Sequence, residues 1–285
     1  MNFLNDKVTI LVNSCDAYSD IWPLFFSAIK NYWPNHINIV LNSETLKYEY
    51  TEGIETHLLD KVQGNQTWGF RLRETLKDIN TKYVLTLFDD FILEDNIDEQ
   101  ELARIVNKME SDESISVVYL TKLNISKLSD ATLFENSIKN KYVEIPDKVD
   151  FRLNSAPAIW RVKDLLDFTG EIEDPWTWEV FGSYKTFKSK KKFFCVEKNG
   201  LDIFNYNYEK GGAIYRGKWV EEVVLDKNEK YNLNINFNNR GFSKKDDFEK
   251  RNLKWRISFL ITGYRMVGIK FVYFIISMLK RKIKS

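Results

Sequence analysis

The run Tyr83-Val84-Leu85-Thr86-Leu87-Phe88-Asp89-Asp90-Phe91-Ile92-Leu93 is an apolar, strand-like segment that ends in two adjacent carboxylates and then resumes as apolar. Two acids at the end of a buried strand are destabilising unless a cation pairs with them. A divalent metal carrying a diphosphate would supply that pairing, because Mg2+ and Mn2+ take oxygen ligands from one or two carboxylates and from phosphates. The same pair also fits a turn or the cap of the next helix, so the rest of the chain has to separate the two readings.

Upstream, Lys7 to Ser14 reads as a buried strand, Cys15 to Asp20 as a polar turn, and Ile21 to Tyr32 as a helix. Ile37 to Leu41 reads as a second strand. Trp68 to Ile79 is an amphipathic segment with Phe70, Leu72, Leu76 and Ile79 as its apolar positions, and Tyr83 to Phe88 is the carboxylate strand. A helix over Glu99 to Met109 and a strand over Ser116 to Leu120 continue the alternation. Strands alternating with helices predict an α/β fold with a mainly parallel sheet and helices on both faces. Ligands of such sheets bind beyond the carboxyl ends of the strands, where Asp16 and the Asp89-Asp90 pair are expected. From Asp150 onward the chain is rich in aromatic and charged residues, as expected of the second half of a cleft. No repeat or long Pro/Gly/Ser linker interrupts it, so residues 1–250 read as one domain.

Residues 251–285 differ in kind, being crowded with Lys and Arg and free of acid. Two apolar runs, Ile257 to Tyr264 and Ile269 to Leu279, are separated by Arg265 and Lys270, and each falls short of the ~20 residues of a span. The expectation is a basic, amphipathic C-terminal helix lying on an anionic membrane surface, with a helix docked on the domain as the alternative.

The 285 residues suffice for a sizeable core, and 42 basic against 41 acidic residues leave no global attraction for nucleic acid. Aromatic residues make up 15%, which suits a groove that stacks on bases or sugar faces. His36 and His57 do not sit in metal-ligand spacing with Cys15 or Cys195, which argues against zinc and against histidine-based nucleophilic catalysis. The first residues lack the pattern of a signal peptide, and with two distant cysteines a reducing, cytoplasmic setting is expected.

The opening Val12-Asn13-Ser14-Cys15-Asp16-Ala17-Tyr18-Ser19-Asp20-Ile21-Trp22, the Trp68-Gly69-Phe70-Arg71 segment, Leu87-Phe88-Asp89-Asp90-Phe91 and Trp178-Glu179 together resemble a GT-A fold glycosyltransferase, most of all the bacterial enzymes of capsule and lipopolysaccharide biosynthesis. The resemblance spans roughly residues 7–220. It implies a GT-A (Rossmann-like) sheet, and a nucleotide-sugar donor, by preference a UDP-sugar, bound by the loop after the first strand through Asn13, Ser14 and Asp16, with Tyr18 beside them. Trp68 and Arg71 then reach the donor, although Arg71 also fits a surface salt bridge. The family's metal motif is usually Asp-X-Asp; here Asp-Asp-Phe stands in its place, with Asp90 expected as the direct ligand of Mn2+ or Mg2+ and Asp89 as a further metal or ribose partner. A late histidine ligand is frequent in the family, and no histidine follows His57.

Further on, Phe151 to Arg161 is a small-residue run framed by bulky ones, suited to backbone near a sugar donor or to a buried strand. The cluster from Glu171 to Glu179 combines acids with Trp176 and Trp178, which could bind sugar faces. By its match to the family's acid, Glu179 is the expected general base of an inverting transfer, with Asp174 second; both acids also fit the first turn of a helix. Lys210 to Trp219 reads as a lid over a diphosphate, with Arg216 and Lys218 as its cations, or as a plain hairpin. The expected activity is metal-dependent transfer of a sugar to a glycan, by preference a lipid-linked one, in surface polysaccharide synthesis. A catalytically silent glycan-binding protein at the membrane and a nucleotidyl or phosphosugar transferase are the alternatives.

Overall fold

The computed structural model describes residues 3–48, 54–58, 67–125, 127–134, 141–207, 211–244 and 252–284, the last four of these as backbone. The strands β1 (Val8–Asn13), β2 (Ile39–Ser43), β3 (Ile54–Leu58), β4 (Tyr83–Phe88), β5 (Ile115–Lys122), β6 (Tyr142–Glu144), β7 (Ala158–Arg161) and β8 (Lys192–Val196) form one eight-stranded sheet in the order 3-2-1-4-7-5-8-6. Pairings β1·β2, β1·β4, β2·β3 and β5·β8 are parallel. Strand β7 is inserted antiparallel between β4 and β5, and β6 pairs antiparallel with β8 at the edge. β9 (Ile214–Tyr215) and β10 (Lys218–Trp219) make a separate hairpin.

The helices are α1 (Phe3–Lys7), α2 (Trp22–Tyr32), α3 (Trp68–Asp78), α4 (Glu99–Ser111), α5 (Val162–Phe168), α6 (Pro175–Gly182), α7 (Glu221–Lys230), α8 (Leu253–Val267) and α9 (Phe271–Lys284). Every residue of β1 is buried, as its continuous apolar run requires of a strand covered on both faces. Ile10 and Val12 pack into a core shared with α2, α4 and α7, while Leu11 faces a second core with α3, α5 and α6. Helix α4 shows how the sequence dictates this. Asp98 caps it by accepting from Glu101 N at 3.0 Å, and Leu102, Ile105, Val106 and Met109 recur at helical spacing on the buried face.

The fold is thus the expected Rossmann-like α/β sheet. Strand β3 had no counterpart in the sequence reading, because it is a short edge strand without a fully buried residue. Of the Phe151 to Arg161 run, Ala158–Arg161 is strand in the sheet interior, with Ala158 opposite Thr86 of β4 and Tyr119 of β5, while residues 151–157 lie outside any strand.

The C-terminal apolar runs, read separately as too short to span, join into one stretch. Leu253–Lys280 is long and apolar enough to cross a membrane. It runs as α8, a single 3-10 turn at Gly268–Lys270, and α9. One face docks on the domain, where Phe181, Tyr184 and Phe187 pack against Phe259, Phe271, Tyr273 and Phe274. The docked reading of the tail holds for that face, and the other face stays exposed. The boundary drawn at residue 250 lies outside the described residues.

Candidate active site

The carboxyl ends of β1 and β4 lie side by side, Asn13 opposite Phe88, and this register sets the next residues together. The Asp89 carboxylate is buried. Ser14 Oγ donates to its Oδ2, and Trp22 Nε1 donates to the same oxygen at 3.2 Å and to Ser14 Oγ at 2.7 Å. Burial pushes the Asp89 carboxyl up to about 7 against these hydrogen bonds. Burial and then the charge of Asp89 hold Asp90 well above the usual carboxylate range. Over Asp90 lies the glycine loop: Ala213 N donates to Asp90 O at 2.8 Å. Gly212 has φ +98°, and a Cβ there would stand 2.8 Å from Asp90 O, so only glycine fits.

Most of the expected nucleotide residues are brought to this edge, in roles that are partly structural. Asn13 is buried and ties β1 to β4, donating to Leu87 O at 3.4 Å while accepting from Trp68 Nε1 at 3.2 Å. Trp68 is itself core, near-parallel to Phe88 with centroids 6.3 Å apart and edge-on to Trp178. Asn13, Ser14 and Trp68 therefore support the Asp89 shelf and are not a stacking surface. Asp16 joins the loop after β1 to the loop after β2, accepting from Thr45 N at 2.9 Å and Leu46 N at 3.0 Å. Burial acts to raise its pKa, and the hydrogen bonds, led by Thr45 Oγ1, bring the carboxyl below its ordinary value. Arg71, buried on α3, pairs with Glu44 at 2.9 Å and is not a surface salt bridge.

Strand β7 brings in the acid of α6. With Thr86 opposite Ala158 in an antiparallel pair, the chain leading into β7, which holds Ser155, enters from the carboxyl-end side of β4. Ser155 N and Ser155 Oγ both donate to Glu179 Oε1 at 2.6 Å. Burial pushes the Glu179 carboxyl up, with the Ser155 hydrogen bonds opposing. Asp174 is exposed and caps α6, accepting from Thr177 N at 2.8 Å in a reciprocal capping box. Its carboxylate serves the helix. Trp178 is core at 3% exposure, which removes it as a sugar platform, whereas Trp176 is exposed at 45%.

Arg216 and Gly217, with φ of 52° and 77°, make the two-residue turn of the β9–β10 hairpin. The segment forms a hairpin, joined to Asp90 through Gly212 and Ala213; Lys210 lies outside the described residues. A residue without any sequence signal holds it in place. Arg240 forms a two-point ion pair with Asp20 at 2.8 and 2.6 Å, donates to Gly217 O at 3.4 Å, and lies 4.8 Å over Tyr18 and 5.4 Å from the Trp219 ring. Burial, then Asp90 and Asp89, push the Tyr18 hydroxyl up to about 12, which marks Tyr18 as a neighbour of both acids. Glu44 was also missed, although its place just past β2 at the carboxyl edge was a usable signal. Below it, Asn42 is fully buried, and neither polar atom of its amide has a hydrogen-bond partner among the described residues.

Among the described residues no three His, Cys, Asp or Glu side chains gather as a metal cage. Asp89 and Asp90 still fit a hard divalent cation: they are adjacent oxygen donors whose burial disfavours the ionised form, a cost that a bound cation would offset. Such a cation needs only one or two protein carboxylates when substrate phosphates complete its shell. Both cysteines are free thiols, and burial pushes Cys15 up to about 11 and Cys195 up to about 12, so neither is a nucleophile at neutral pH.

No protein-family model matches the sequence, and no curated protein does. Among solved structures, Staphylococcus aureus TarS 1-349 aligns at 12% identity over 93% of this chain and 82% of its own, with a TM-score of 0.48. The same protein in complex with UDP-GlcNAc aligns at 14% identity over the same shares, with a TM-score of 0.43. The bifunctional IspDF from Campylobacter jejuni aligns at 15% identity over 72% of this chain, with a TM-score of 0.39, and this chain spans 53% of its length. Likenesses this distant leave the chemistry to be read from the site itself.

Proposed function

We propose that the chain is a GT-A-type glycosyltransferase that moves a sugar from a nucleotide-sugar donor, a UDP-sugar, to a glycan acceptor with inversion. The observation that carries this reading is that the Asp89-Asp90 pair, under a glycine loop, and the segment whose Ser155 holds Glu179 both lie on the carboxyl-end side of the sheet. Glu179 Oε2 is the atom that accepts the proton of the acceptor hydroxyl as that oxygen bonds to the anomeric carbon. The bond from that carbon to the diphosphate breaks, and the diphosphate leaves with the electron pair. Burial suits Glu179 to this role, because a carboxylate of raised pKa is a stronger base. Asp90, backed by Asp89, would hold Mn2+ or Mg2+, which when bound neutralises charge on the diphosphate. In this reading the nucleotide is received by the loops that carry Asp16 and Glu44, with Arg71 of α3 paired to Glu44, and the hairpin with Arg216 and Lys218 closes over it.

The loop after β1, from Ser14 to Ile21, has neither glycine nor a cation to grip a triphosphate, which disfavours a nucleotidyltransferase. The acceptor is proposed to be lipid-linked and the enzyme to work at the cytoplasmic face of the membrane, an assignment supported by the exposed apolar face of α8 and α9. A thermal-shift series with nucleoside diphosphates and nucleotide sugars, with and without Mn2+, tests the donor. A metal-dependent rise with UDP, lost in Asp90→Ala, is expected. A folded protein that no nucleotide stabilises would sink the transferase reading and favour the silent binding protein.

A further inference from the structure

The tail has charge as well as apolar surface. Residues 250–285 hold ten Lys and Arg and no acid, so the first 249 residues carry the excess of acid, and the near-zero net charge hides a strong segregation. On α8, Leu253, Ile257, Leu260, Ile261 and Tyr264 recur at helical spacing and are exposed, as are Val272, Ile276 and Leu279 on α9. Lys254 and Arg265 flank the α8 stripe by their position in the helix. The opposite face is fixed to the domain from Phe259 to Ser277: Phe181 packs on Phe259 and Phe274, Lys270 Nζ donates to Lys185 O at 3.0 Å, and Ser277 Oγ donates to Asp150. A helix pair pinned along its length to a charged domain lies along a bilayer, since crossing one would draw that domain into hydrocarbon.

Beside α9 is a groove of about 820 Å³, lined in part by the turn at residues 148–151. Lys127, Lys148 and Lys280 line it, together with the aromatic rings of Tyr184 and Tyr273 and one acid, Asp150. Asp150 is engaged on both oxygens, by Tyr184 Oη at 2.8 Å and by Ser277 Oγ, so it fastens α9 to the turn. Three lysines against one hydrogen-bonded carboxylate give a cationic groove that opens beside the exposed apolar residue Ile276 of α9.

We propose that this groove binds the phosphate head group of an anionic phospholipid when α8 and α9 rest on a bilayer. The inference extends the membrane-surface part of the proposed function. Apolar residues of the two helices enter the acyl boundary, the lysines meet the phosphate, and Tyr184 and Tyr273 sit at head-group level, where amphipathic rings are favoured. Charge selects this occupant. A second copy would bring the same basic face and be repelled, whereas an anionic surface is complementary to it.

The test is flotation of the full chain with vesicles of phosphatidylcholine alone and of phosphatidylcholine with phosphatidylglycerol in equal parts. Binding to the anionic vesicles, with little to the neutral ones, is expected. Lys148→Ala and Lys280→Ala should each weaken it about fivefold, and the double variant about thirtyfold. Ile261→Asp with Val272→Asp should abolish it while the thermal melt stays near wild type, because both side chains are exposed. Equal binding to both vesicles, unchanged binding by the lysine double variant, or no vesicle binding by a protein that still binds inorganic phosphate in solution would overturn the proposal. So would a dimer in sedimentation that the Ile261→Asp, Val272→Asp variant dissociates. The UDP and Mn2+ melt shift is read on the same preparations, so loss of vesicle binding with that shift intact refutes this inference alone, and the reverse refutes the transferase reading alone.

Discussion

Glu179→Gln separates the chemistry of the site from its stability. Gln keeps the volume and an oxygen that can accept from Ser155 N and Ser155 Oγ, both at 2.6 Å from Glu179 Oε1, but it removes the charge. The pKa of Glu179 is raised from 4.5, so above that pH the folded protein retains a proton that the unfolded chain has lost, or buries the charge at a cost. Wild-type stability therefore falls as pH climbs from 4.5 to the folded value, and a neutral side chain escapes that loss. Each unit of elevation is about 1.4 kcal/mol, and each kcal/mol is about 2–4 °C in Tm for a domain near this size. The variant should melt level with wild type near pH 4.5 and at or above it at pH 8, with the gap opening between. Glu179→Ala, which strands the Ser155 donors, should lose about 1–3 kcal/mol. Turnover of the nucleotide sugar should fall about 10²–10⁴-fold in both. The measurements are melts across that pH range and donor turnover. A Gln variant that melts below wild type at pH 8 and turns over at the wild-type rate would refute both the burial account and the base.

Three further outcomes follow from the packing. Gly69→Ala places a Cβ 2.2 Å from the Gly170 carbonyl, a backbone atom, and should lower urea stability by about 2 kcal/mol or more; a neutral result would mean that α3 is free to slide. Ser14→Ala removes one of the two side-chain donors to Asp89 Oδ2 and should lower stability at neutral pH by about 1–2 kcal/mol in the same assay; no change would show that Trp22 alone suffices. Arg240→Ala breaks the Asp20 pair and the stacking on Tyr18 and Trp219, so trypsin should cut the hairpin at Arg216 faster than in wild type; an unchanged digestion rate would show that the hairpin is held through Gly212 and Ala213.

What the chain made legible was whatever its local pattern encodes. Continuous apolar runs placed β1, β4 and β5, the periodicity of Leu102, Ile105, Val106 and Met109 placed α4, and their alternation implied the parallel sheet with both faces covered. The Asp89-Asp90 pair was visible because charge at the end of a buried strand conflicts with its surroundings. Pattern also placed the apolar, basic tail, since a helix needs no distant partner to declare its composition.

What depended on contacts between distant residues was decided by the tertiary structure. Ala158–Arg161 enters the sheet antiparallel because β4 and β5 leave a place between them, and that insertion brings Ser155, and Glu179 with it, to the carboxyl-end side of the sheet, where Asp89 also lies. Trp68 and Trp178 look alike as sequence to any exposed sugar platform and differ only in being surrounded. Arg240 acts on residues some 220 positions away, and no local signal encodes such a pairing. Patterning specifies which face of each element is buried, a local property of side-chain periodicity; which acids, cations and rings then meet is set by strand order and register, which only the closed fold determines.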